Sequence, residues 1–104
     1  MSIQEVASGT SLLPTLANTY YNIAGTVGTL EINLPTFIGN VTKVKSCTFN
    51  LTTGANPAIT FVADVNTPID YFASYEIEAN SSYEINALFN GSRWIIASAE
   101  INVV

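Results

Sequence analysis

The segment Ser82 to Ala99 limits the fold more tightly than any other part of the chain. It contains Tyr83-Glu-Ile-Asn-Ala-Leu-Phe-Asn-Gly-Ser-Arg-Trp-Ile-Ile-Ala97, two β-rich runs on either side of an Asn90-Gly91 pair. A two-residue hairpin turn needs positive φ at both central positions, which Asn and Gly adopt most readily. The twist of such a turn matches the right-handed twist of the strands it joins. The segment is therefore expected to form a β-hairpin with Asn90 and Gly91 as its loop. That register sets Phe89 opposite Ser92, Ala87 opposite Trp94 and Ile85 opposite Ile96, all on one face. Leu88, Ile95 and Ala97 fall on the other face beside Asn86 and Glu84. A strand pair that is apolar on both faces needs cover on both. One cover is an opposing sheet and the other is a neighbouring subunit, which makes Leu88 and Ile95 interface candidates.

The rest of the chain from Thr19 carries the same period of two. Tyr20, Tyr21 and Ile23 form a first short strand, closed by Gly25 and Gly28. Leu30, Ile32 and Leu34 alternate with Glu31 and Asn33, and Pro35, which has no N–H to donate, ends that run. Cys47, Phe49 and Leu51 share one face of the next strand. Thr53 to Pro57 reads as a turn, after which Ile59, Phe61 and Ala63 alternate with Thr60 and Val62. In Ile69 to Ala79 the spacing of Tyr71, Phe72 and Tyr75 fits a helix, while Tyr75, Ile77 and Ala79 alternate with Glu76 and Glu78. A helix there would be barely three turns and uncapped, so a bend followed by a short strand is favoured. The fold expected from these runs is all-β: an antiparallel β-sandwich of about eight short strands, jelly-roll-like, over residues 19–104. Residues 1–18 are rich in Ser, Gly and Thr and read as an extended N-terminal arm with at most one short strand. It is either a frayed end or a docking arm anchored by Ile3, Val6, Leu12 and Leu13.

Composition narrows the function. At 104 residues the chain is one domain. Hydrophobic residues make up 48% and charged residues 11%, against about 25% charged in an average soluble domain. A surface so poor in charge is expected to be shared with other chains. The net charge is −5, and the only cations are Lys43, Lys45 and Arg93. Neither a nucleic acid nor an anionic membrane is an expected partner, because both need rows of Lys and Arg. No run is long enough to span a bilayer, and the N-terminus has no secretory pattern, so synthesis in a cytoplasm is expected.

Chemistry is sparse. The chain has no His, so neither a Ser-His-Asp triad nor a His-ligated metal is expected, and no cofactor. Cys47, the single cysteine, lacks an imidazole to make it a thiolate and reads as a small core residue. Glu76 and Glu78, spaced about 7 Å apart on one side of a strand, could serve glycoside hydrolysis or calcium ligation. Solvated strand-face glutamates are the simpler account. Asp64 and Asp70 lack calcium-loop spacing and read as turn residues. No catalytic, metal or cofactor-binding residue is assigned. The adjacent pairs Tyr20-Tyr21 and Tyr71-Phe72 place one ring on each side of a strand. The outward ring meets solvent, a sugar or a partner, and an interface is favoured.

Two stretches are similar to small bacteriophage virion proteins. Ile77-Glu-Ala-Asn80, Ser82-Tyr-Glu-Ile-Asn86, Leu88-Phe-Asn-Gly91 and Trp94-Ile95 resemble the closing pattern of a β-domain of head fibres and tail-associated proteins. Thr19-Tyr-Tyr-Asn-Ile23 and Leu30-Glu-Ile-Asn-Leu-Pro35 resemble its opening. The likeness spans roughly residues 19 to 101 and brings no catalytic residues with it. It implies a structural virion protein made in the host bacterial cytoplasm, a homo-oligomer (trimeric by analogy with fibres) attached to capsid or tail proteins. The chain contains no shaft or collagen-like stalk, which favours a small accessory protein. A glycan-binding display module on the virion surface is the alternative.

Overall fold

The computed structural model describes residues 1–101. The last three residues of the expected 19–104 domain lie outside the described residues. Within them every regular element is a strand, and the fold is all-β. The strands are β1 (Ser2–Val6), β2 (Leu12–Pro14), β3 (Thr19–Asn33), β4 (Lys45–Val62), β5 (Ile69–Tyr71), β6 (Ser82–Phe89) and β7 (Trp94–Ile101). They form one sheet in the order β1-β3-β4-β6-β7-β5, with β2 also on β3.

The sheet is mixed, not antiparallel as expected. β4 with β6 and β6 with β7 are antiparallel, while β1 and β2 with β3, β3 with β4, and β5 with β7 are parallel. From Thr19 on, the described residues form five strands rather than about eight, in part because two expected pairs of short strands are each one long strand; β1 and β2 add two more from residues 1–18. Glycine and proline at 25, 28, 54 and 57 bend these strands without reversing them. Between Asn22↔Asn50 and Thr26↔Thr52, β3 advances four residues and β4 two. Between Val27↔Thr53 and Thr29↔Ala58, β3 advances two and β4 five. Such bulges bend the strand that holds the extra residues. Gly25, at φ +72°, sits in the first, where any Cβ would collide with the Ser8 side chain.

The bend doubles the sheet over. Phe49 and Phe61 lie twelve residues apart on β4, which would separate them by about 40 Å in a straight strand. Their ring centroids are 5.8 Å apart. The two halves of β3 and β4 thus share one core. It contains Tyr21, Leu30, Ile32, Phe49, Ile85, Trp94 and Ile96, each essentially inaccessible to solvent. Tyr21 stacks on Phe49 at 5.4 Å, and Phe37 closes the far end over Phe89 and Trp94.

The N-terminal segment is extended, but it is sheet and not a free arm. β1 lies along Thr19–Ile23 and β2 along Glu31–Asn33. Val6 and Leu13 enter the core at 6% and 5% exposure. The hairpin is also looser than expected. Phe89 pairs with Trp94, Ala87 with Ile96 and Ile85 with Ser98, so four residues form the loop. The Asn90 side-chain oxygen accepts from the N–H groups of Ser92 and Arg93 at 3.0 and 3.1 Å, and this local turn draws both into the loop. The shift of two positions keeps Trp94 on the expected face but sets it against Phe89 instead of Ala87. In Ile69–Ala79 the strand comes first, as β5, and a turn and an irregular extended segment follow.

Candidate functional site

The ten residues singled out as interface candidates separate by burial. Val6, Leu13 and Tyr21 lie in the core of the single chain. Tyr21 is held there by its hydroxyl, which accepts the Leu16 N–H at 2.7 Å. Tyr20, Leu88 and Ile95 are half-buried on the outer face, where Leu88 sits directly across from Ile95. The Tyr20 hydroxyl reaches over β4 and donates to Glu84 at 2.9 Å. Its pKa is raised, first by burial and then by the Glu84 carboxylate. Ile3, Leu12, Tyr71 and Phe72 remain open to solvent.

Those four lie at the two ends of the strand order. β1 and β2 form one free edge, carrying Ile3 (71% exposed) and Leu12. In a parallel ladder alternate residues turn their backbone groups away from the neighbour. Ser2 donates to Asn18 at 3.0 Å, so Ile3 and Glu5 point theirs outward. β5 forms the other free edge, with Tyr71 (46%) and Phe72 (56%). The Tyr71 and Tyr75 rings meet at 4.8 Å. Burial raises both phenols, and the neighbouring Tyr71 helps push Tyr75 up to about 12. Beside them Arg93 Nη1 lies 2.7 Å from Asp70 Oδ2. Tyr75, absent from the candidates, was marked in the sequence by its i, i+4 spacing from Tyr71.

The carboxylate pair lies elsewhere than expected. Glu76 and Glu78 are on the irregular segment after β5, not on a strand. The Glu76 N–H donates to Ser98 Oγ at 3.1 Å and the Glu78 N–H to Tyr83 Oη at 2.8 Å. With Glu100, Ser74, Ser98 and Tyr83 they line an open cleft of about 150 Å³. A hydrogen bond that protonated Glu78 donates to Glu76, then the negative charge of Glu76, loss of hydration and the charge of Glu100, raise Glu78 above the ordinary carboxyl range. Among the described residues no three His, Cys, Asp or Glu converge so as to hold a metal ion. A second cleft of about 460 Å³ lies under the loop between β3 and β4, lined by Phe37, Ile38, Val41, Lys43 and Lys45. Sequence reading missed it. Its walls all come from residues 36–45, so it is formed by the conformation of that one loop.

Cys47 is core. Its Sγ lies 3.2 Å from the Leu16 carbonyl, and burial pushes the thiol up to about 11 from the usual 9. The thiolate is the reactive species, so a thiol reagent at pH 8 should label Cys47 only as fast as the protein unfolds. Labelling of folded protein at the rate of a free thiol would contradict this burial. The raised pKa also gives the linkage a sign. The folded thiol stays protonated where the unfolded one ionises, so its contribution is whole below pH 9 and is lost as pH climbs through about 11.

Comparisons with protein-family models, curated proteins and solved structures find no match to this chain.

Proposed function

We propose that this chain is a structural, non-enzymatic β-sandwich module of a phage virion, held on capsid or tail as a homo-oligomer with three copies as the expected number. The observation that carries the self-assembly reading is the placement of large apolar side chains on both free edges of the sheet. Ile3 and Leu12 lie on one and Tyr71 and Phe72 on the other. An unpaired edge offers backbone groups as well as apolar surface to a neighbouring chain. The edges are short and carry Glu5, Pro14 and Asp70, features that oppose open-ended ribbon growth and leave closed, specific contacts. Assignment to a virion, its capsid or its tail draws on the resemblance of residues 19 to 101 to virion β-domains. Repetition on a lattice would supply avidity from weak single contacts.

Light scattering over a range of concentrations tests the assembly. The expected mass is a multiple of 11.1 kDa, and a particle that stays at the single-chain mass throughout would remove the proposal. Phe72→Asp should melt like the parent, since Phe72 is exposed, yet shift the equilibrium at least about tenfold toward single chains. An unchanged equilibrium in both Phe72→Asp and Ile3→Asp would exclude the edges as the contact. The virion location is tested by immunogold labelling of phage particles.

One observation favours a second reading. The Tyr71 and Tyr75 rings, with Asp70 and Arg93 beside them, offer apolar faces next to polar groups, as a sugar site does. A glycan array with the parent chain, Tyr71→Ala and Tyr75→Ala decides it, and no signal from the parent ends it.

A further inference from the structure

We infer that the cleft under the 36–45 loop is a docking site for the Glu76–Glu78 segment of a second copy of this chain, so that copies join end to end. This names one contact within the self-assembly reading and rests on it.

Lys43 and Lys45 lie by one end of β6, and Glu76, Glu78 and Glu100 lie by the other. Of the three cations of the chain, Arg93 is neutralised by Asp70. Lys43 and Lys45 have no ion-pair partner among the described residues. Lys45 opens β4 opposite Phe89, the last residue of β6. At the other end of β6, Tyr83 lies opposite Glu100 and its hydroxyl holds the Glu78 backbone. The eight residues of β6 set the two ends about 24 Å apart. That exceeds the reach of any side chain, so the glutamates cannot serve their own lysines. A second copy can.

Shape agrees with charge. Glu76 and Glu78 stand on an exposed segment outside the sheet, whereas the lysines flank a cleft of about 460 Å³. Phe37, Ile38 and Val41 supply the apolar part of a mixed lining that also includes Thr36, Asn40 and Thr42, and Ile38 is 99% exposed in the single chain. Docking would cover it. The three carboxylates also crowd one another, as the raised Glu78 shows, and two ammonium groups would relieve that repulsion. The net charge of −5 opposes association at long range. At about 0.1 M salt it is screened beyond about 10 Å, while ion pairs at contact persist. A contact between two different surfaces is heterologous and closes into a ring or runs on as a filament.

Charge exchange tests the contact, by sedimentation at about 0.1 M salt. Lys43→Glu/Lys45→Glu and Glu76→Lys/Glu78→Lys should each weaken association at least about tenfold. The chain carrying all four changes restores opposite charges and should recover to within about threefold of the parent. All four positions are exposed or half-exposed, so thermal melts should match the parent. If a reversed chain melts early, Lys43→Gln/Lys45→Gln carries the same test. A parent chain that never associates overturns this contact together with the self-assembly reading. A parent that associates, with a lysine variant that associates equally or a fourfold variant that folds but fails to recover, overturns this contact alone.

Discussion

Phe49→Ala should be the most damaging single substitution in this protein, lowering stability by about 3–5 kcal/mol. Phe49 has no solvent exposure. It stacks on Tyr21 from β3 at 5.4 Å and meets Phe61 edge-on at 5.8 Å. The second contact joins the two halves of β4 across the fold of the sheet. Removing the ring leaves a cavity and also loosens the doubled-over half that carries Leu30, Ile32 and Phe61. Native stability is typically about 5–15 kcal/mol, so the loss would be a large share of the total. Urea unfolding followed by Trp94 fluorescence measures the loss, and a change below about 1 kcal/mol would mean that the halves are not held together here. Phe37→Ala removes a half-buried ring from the end of the core and should cost visibly less.

Thr53→Val should cost about 2–3 kcal/mol, although it changes shape very little. Thr53 is buried at the second bend of β4, at 1% exposure. Its hydroxyl lies 2.6 Å from the Glu78 carbonyl and accepts the Ser81 N–H at 3.1 Å. The Ser81 carbonyl keeps the Thr53 N–H at 2.8 Å in either chain. Valine leaves the Glu78 carbonyl and the Ser81 N–H facing a buried methyl group instead of their partner, and a polar group that loses its partner costs more than the net worth of an ordinary hydrogen bond. Thr53→Ser keeps the hydroxyl and should lose no more than about 1 kcal/mol, the share of one methyl group. Hydrogen exchange gives a second readout: the Ser81 amide should lose protection in Thr53→Val and keep it in Thr53→Ser. Equal melting temperatures for the two variants would show that the hydroxyl does nothing for stability. The same bonds hold the turn that follows Glu78, so Thr53→Val should also disturb whatever contact the acidic segment makes.

Which side chains face inward was legible in the sequence, run by run. Leu30, Ile32 and Leu34, then Cys47, Phe49 and Leu51, then Ile85, Trp94 and Ile96 all lie on core faces. The hairpin face was legible too, but its register was not. Asn90 and Gly91 mark a turn without stating its length, and the hydrogen bonds of the Asn90 side chain extend it to Arg93. The glycines and the proline within β3 and β4 were readable as interruptions. Whether such a residue ends a strand or bends it depends on pairing that continues beyond it, and that pairing comes from the neighbouring strand. Val6 and Leu13 show the same limit. A sparse apolar residue in a Ser/Thr/Gly-rich segment has one pattern whether it anchors a free arm or fills a core. The candidate surfaces were half legible. Tyr71 and Phe72 were marked by adjacency, whereas the Lys43–Lys45 cleft and the opposed acidic end were not, because charge separation is a property of placement.

Strand content, core-facing side chains and the scarcity of ionic groups are local or compositional properties, and these 104 residues determined them unaided. Parallel or antiparallel pairing, the doubling of the sheet that brings Phe61 onto Phe49, and the separation of Lys43 and Lys45 from Glu76 and Glu78 were decided only in three dimensions. The reason is that side-chain alternation depends on backbone geometry between adjacent residues, whereas pairing depends on which distant segment best satisfies a strand's hydrogen bonds and covers its apolar face.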